Sequence, residues 1–127
     1  MNELQILLSV IDTVNNDNKL QIKLKVSEFI NTCNMVINSK EKELRELKPQ
    51  IIEQKKRITT GKGLVTVNGN EQAVCTLMPY EINKSYDKFY ELREQYITAL
   101  DDIEYISSEV KQVLNKLAEH NLYLCTL

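Results

Sequence analysis

Apolar residues return at every seventh position between Glu81 and Leu124: Ile82, Phe89, Tyr96, Ile103, Val110, Leu117 and Leu124. Offset from them, Tyr86, Arg93, Leu100, Ser107, Leu114 and Asn121 complete a 4-3 spacing, which puts both series on one face of a helix. The pattern predicts a long helix over 81–124. In heptad letters the unbroken series occupies d and the mixed series a. A third series, Leu92, Ala99, Ile106 and Val113, falls at g. An apolar a/d seam with an added g row is wider than a two-stranded coiled coil needs, and suits a helix that touches two neighbours. The polar a residues Arg93, Ser107 and Asn121 fit two roles: solvated rim positions, or residues that set register and oligomeric state.

Upstream, Leu4, Leu7, Leu8, Ile11 and Val14 follow the spacing of a short amphipathic helix over 2–15. The run Asn15-Asn16-Asp17-Asn18 ends it, because these side chains compete for the backbone and favour caps and turns. Residues 19–26 carry two signals. Leu20, Ile22, Leu24 and Val26 alternate with polar residues, as in a strand. Asn18 with Gln21 resembles a capping box, and Leu20 and Leu24 share a helix face. Helix is the favoured reading. From there Ile30, Ile37, Leu44, Ile51 and Ile58 repeat at seven, with Cys33, Lys40, Leu47 and Gln54 on the companion row. Pro49 lacks an N–H and clashes with the carbonyl of Arg45, but the series keeps phase across it. A helix over 19–58, kinked near 49 rather than broken, is expected.

The cluster from Thr59 to Gly63 breaks the helical pattern. Leu64–Val67 and Ala73–Leu77 are β-rich, and Asn68-Gly69-Asn70 between them signals a turn. A three-residue loop with Asn70 left-handed places Val65, Val67, Ala73, Cys75 and Leu77 on one face. A hairpin over 63–78 follows, which Pro79 ends. The expected fold is mainly α: a long antiparallel helical hairpin or coiled coil, with a short β-hairpin between the long helices and a short N-terminal helix, in one domain. This helix–hairpin–helix outline over residues 20–124 resembles a prefoldin subunit in architecture, without a shared motif. The resemblance implies hairpins that assemble into a sheet and arms that reach for unfolded clients. The N-terminal helix and Pro49 depart from it.

The 127 residues are 43% hydrophobic and 27% charged, with only three Gly and two Pro, which suits few long elements. No apolar run reaches the roughly 18 residues of a membrane span, and the N-terminus lacks signal-peptide features. Cys33, Cys75 and Cys125 form no CxxC and read as free thiols of a reducing, cytoplasmic compartment, of a cell or of an infected host cell. The abundance of Asn, Ile and Lys suits an AT-rich genome, such as that of a firmicute, a phage or a virus.

Enzyme signals are weak. His120 is the single His, and no metal or cofactor is expected. Gly61-Lys62-Gly63 lacks the other parts of a phosphate loop: Lys56 stands where its first glycine belongs, and Gly63 where its Ser/Thr belongs. Asp101, Asp102 and Glu104 read as a solvated helix face. The net charge of −2 hides an asymmetry: residues 19–62 hold eleven basic against five acidic side chains, and residues 63–127 five against ten. Complementary halves favour laying one against the other, within a chain or between chains.

A non-enzymatic, protein-binding helical protein is therefore the expectation, with a chaperone-like protein or a phage or viral inhibitor of a host protein as special cases. Tyr86, Phe89 and Tyr96 are seam positions expected in the core, whereas Tyr90 and Tyr105 lie outside the seam. These two, with the g residues Leu92, Ile106 and Val113, are the candidate partner or homodimer contacts. The competing arrangement is a monomer in which helix 2–15 folds back over the g row. Lys55, Lys56, Arg57 and Lys62 are candidate nucleic-acid contacts, the alternative function, although a stacking platform of aromatics is not evident.

Overall fold

The computed structural model describes residues 2–67, Gly69 and 71–124. Along the chain run α1 (Glu3–Asp12), α2 (Lys19–Thr60), β1 (Lys62–Val67), β2 (Glu71–Thr76) and α3 (Pro79–Glu119). The fold is the expected one: two long helices joined by a β-hairpin, with a short helix in front. The chain divides into two compact units, Met1–Lys40 with Asp101–Leu127, and Glu41–Leu100.

In the first unit, α1 is capped by Asn2, whose side chain accepts from the Gln5 N–H. Leu4, Leu7 and Ile11 of α1 form one core with Ile22 and Val26 of α2 and Val113, Leu117 and Leu122 near the chain's end. Ile22 and Val26, four apart, are buried, while Leu20 and Leu24 are 63% and 55% exposed. Helix thus holds over 19–26, but it buries the Ile22/Val26 pair. Between α1 and α2 the Asn side chains bond locally. Asn15 Oδ1 accepts from the N–H groups of Asp17 and Asn18, and Asn18 Oδ1 accepts from the Asn15 N–H. Asn18 Nδ2 donates to the Thr13 carbonyl.

Lys116 Nζ lies 3.1 Å from Asp12 Oδ1, and His120 Nε2 3.0 Å from the same oxygen. The hydrogen bond to His120, then that to Lys116, holds the Asp12 carboxyl below its ordinary 3.8. A lowered folded-state value gives a contribution that is full above the unfolded value and is lost as pH falls through the folded one. Thermal melts from about pH 5 to about pH 2 should therefore show a steeper acid loss in the native chain than in Asp12→Asn. Parallel acid limbs would contradict this anchoring of α1.

The expected helix over 81–124 ends earlier. Asn121 takes φ 57, the Leu122 N–H reaches the Leu117 carbonyl at 2.9 Å, and the Asn121 N–H reaches that of Ala118 at 3.0 Å. These two bonds form a Schellman cap, and Leu117 and Leu122, its usual apolar pair, are both buried. Asn121 is thus a cap and not a polar seam residue.

In the second unit α2 runs through Pro49 without a break. Arg45 and Pro49 both face solvent, so water can reach the carbonyl that loses its N–H partner. Gly61, at φ 66, closes α2, its N–H on the Arg57 carbonyl at 2.9 Å. The strands pair antiparallel with Val65 opposite Ala73 and Val67 opposite Glu71, the expected register. Asn70, the expected left-handed turn residue, lies outside the described residues, as do Asn68 and Cys125. Gly63 and Leu77 are buried and Val65, Ala73 and Cys75 half-buried, so this face turns inward, whereas Leu64 and Val74 opposite it are exposed.

Candidate functional site

Burial along α3 revises the expected seam. In the second unit Ser85, Leu92 and Ala99 of the g row are 3%, 3% and 1% exposed, while Ile82, Phe89 and Tyr96 of the d row are half-buried. The a row, Tyr86, Arg93 and Leu100, is exposed. Burying Arg93 would strand a charge in low dielectric, so the helix turns its small and aliphatic g side inward instead. Leu92 is accordingly a core residue and not a free surface. Tyr86, expected in the core, is 44% exposed.

The consequence is a second apolar row on α3, facing away from the core. Tyr86, Tyr90, Ile97 and Leu100 occupy a and e positions, 37–56% exposed, with Arg93 between them. Tyr90 meets Phe89 edge-on, ring centres 5.6 Å apart, which fixes the direction of the tyrosine. The e position of Tyr90 was legible in the sequence. Its continuation through Ile97 was missed because the a/e spacing repeats the 4-3 pattern already assigned to a/d.

In the first unit Val113 is fully buried in the three-helix core. Ile106 is half-buried beside Phe29, Cys33 and Val36. Both expected contacts thus lie under or against α1 and α2, because α1 folds over this end of the row. Tyr105, 64% exposed, lies on the surface as expected. Desolvation, then the charge of Glu109, pushes the buried Cys33 thiol above its ordinary value, which disfavours the thiolate.

The basic residues at the hairpin root do not all line one surface. Arg57 turns inward: its Nε donates to Ser85 Oγ at 3.0 Å and its Nη1 to the Leu64 carbonyl at 3.3 Å. A β-carbon at Gly63 would lie 2.5 Å from Nη1, so the missing side chain makes room for the guanidinium. Lys56 and Lys62 line a shallow hollow with Glu53, and Lys55 is exposed elsewhere. A larger groove, about 460 Å³, lies between β1 and the first turns of α3. Lys84, Lys88 and Arg57 give it a positive lining, opposed there by Glu81. Lys84 stands 5.8 Å from the centre of the Tyr80 ring. A hydrogen bond to Glu81 raises the Tyr80 phenol.

Among the described residues, no group of three or more His, Cys, Asp or Glu side chains is placed to hold a metal ion, and no helix is long and apolar enough to cross a membrane. No protein-family model, curated protein or solved structure matches the chain.

Proposed function

We propose that this chain is a non-enzymatic protein-binding module whose contact surface is the outward face of α3, and that its first partner there is a second copy of itself. The observation that carries the reading is the exposed row Tyr86, Tyr90, Ile97 and Leu100. Tyrosines and aliphatics at helical spacing supply the apolar area and hydroxyls that interfaces favour. The row is nearly symmetric, with Tyr90 and Ile97 flanking its midpoint and Tyr86 and Leu100 at its ends, while Arg93 keeps its guanidinium at the wet rim. An antiparallel second copy sets each end of the row against the opposite end of its partner's, the self-complementary arrangement a two-fold dimer requires. Residues 79–100 hold four acids and three bases, so net charge opposes the pairing only weakly. Burying two large apolar side chains contributes about 3–6 kcal/mol before the cost of association.

Light scattering across a concentration series tests it. The native chain should approach twice its 14.8 kDa, and the double variant Ile97→Lys, Leu100→Lys should stay monomeric with its helicity intact. Chaperone-like activity and inhibition of a host protein are special cases of the same surface. In the alternative reading Lys55, Lys56 and Lys62 grip a nucleic-acid backbone, and binding falls steeply with salt. No binding of DNA or RNA at about 50 mM salt rejects it.

A further inference from the structure

The hairpin has a free edge whose direction can be read from side-chain bonds. Thr60 Oγ1 donates to the Lys56 carbonyl at 2.6 Å and accepts from the Lys62 N–H at 3.2 Å. Arg57 reaches the Leu64 carbonyl. Both strand residues thus turn their backbone away from β2. Antiparallel pairs alternate between bonded and non-bonded positions, so Thr66 turns the same way while Gly63 and Val65 face β2. By this alternation the Leu64 N–H and both backbone groups of Thr66 point out of the two-stranded sheet.

The 460 Å³ groove runs along this edge. Three consecutive residues, 64–66, form one wall, which a strand presents only along its edge, since its faces show alternate residues. Tyr80, Glu81, Lys84 and Lys88 form the opposite wall, where two lysines outweigh one carboxylate. Lys88 has one weak pair, with Glu91 at 3.7 Å, both side chains about half exposed, which a ligand carboxylate can replace. Unpaired strand edges take added strands, and pockets beside them select the side chains.

We propose that the outer edge of β1 binds an extended, acidic peptide segment of another protein as a third strand. The Leu64 N–H and both backbone groups of Thr66 pair with the segment, and Lys84 and Lys88 hold its carboxylates. Tyr80 is less suited to stacking a base because Lys84 already stands by its ring.

The test is fluorescence anisotropy with three labelled probes: a peptide alternating valine and glutamate, its valine–lysine counterpart, and a single-stranded oligonucleotide. The glutamate peptide should bind saturably and the lysine peptide should not. Thr66→Pro removes an N–H that points away from β2, a position where an edge strand tolerates proline. It should weaken the glutamate peptide about tenfold, the loss of a backbone pair. Lys84→Glu with Lys88→Glu should reverse the preference between the peptides. The Ile97→Lys, Leu100→Lys variant should bind as the native chain does, so failure of self-association leaves this result standing.

Absence of peptide binding, binding of both peptides alike, or a glutamate peptide indifferent to a folded Thr66→Pro would each overturn the proposal. An oligonucleotide that displaces the peptide and is itself indifferent to Thr66→Pro would overturn it in favour of nucleic acid. A dimer dissolved by Thr66→Pro would overturn it in favour of a second copy's strand. If amide exchange shows that Thr66→Pro unfolds the hairpin, the charge-reversed pair decides: reversed preference sustains the proposal, unchanged preference overturns it.

Discussion

Ile11→Ala should lower the stability of the chain by about 2–5 kcal/mol, the range for removing a fully buried branched side chain and leaving a cavity. Ile11 is 0% exposed and belongs to the same cluster as Val26, Val113 and Leu117. Its helix has ten residues, fewer than the roughly 12–15 an isolated helix needs to persist in water. α1 therefore holds its shape through this docking, and weakening it uncovers apolar surface on α2 and α3. Met35→Ala, at a position 73% exposed, should stay within about 0.5 kcal/mol. Urea unfolding at one fixed protein concentration separates the two, since self-association would otherwise shift apparent stability. A loss below about 0.5 kcal/mol at Ile11 would mean that α1 is not docked.

Arg57→Ala should cost about 1.5–3 kcal/mol, the range for hydrogen bonds to a charged group. Ser85, 3% exposed, would lose its donor inside the packed root of the hairpin, and the Leu64 carbonyl would lose a bond as well. Arg57→Lys should recover little, because an ammonium cannot reproduce the two-pronged geometry of the guanidinium. Amide exchange at Val65 and Ala73, paired across the strands, should quicken with either change. Ser85→Ala combined with Arg57→Ala should cost less than the sum of the singles, since both remove one contact. Additive losses, or unchanged exchange in the hairpin, would show that this contact does not hold the strands to the helices.

Much of the fold was legible because long periodic segments state their own conformation. Ile30, Ile37, Leu44, Ile51 and Ile58 kept one phase across Pro49, and α2 does not break there. The hairpin register followed from the three residues between Val67 and Glu71. Where the structure departs from the expected pattern, two patterns of equal spacing compete. On α3 the d row pairs as well with g as with a, and the polar content of a decides for g. That choice carries Leu92 and Val113 inward and Tyr86 outward. At the start of α2, Leu20, Ile22, Leu24 and Val26 alternate, yet only the pair Ile22 and Val26 lies beneath α1. Asn121 looked like a seam residue because the heptad count runs on past the helix. Its positive φ ends α3 instead, a feature of backbone geometry that side-chain periodicity does not encode. The edge groove beside β1 could not have been read at all, since Lys84 and Lys88 reach the strand only through the fold.

The outward face of α3 is tested most directly by light scattering on the native chain and the Ile97→Lys, Leu100→Lys variant, from low to high micromolar concentration. Self-association through the row gives a native mass that rises toward twice 14.8 kDa and a variant that stays at the single-chain mass with unchanged helicity. A native mass fixed at 14.8 kDa throughout, or a variant that dimerises as well as the native chain, would contradict it.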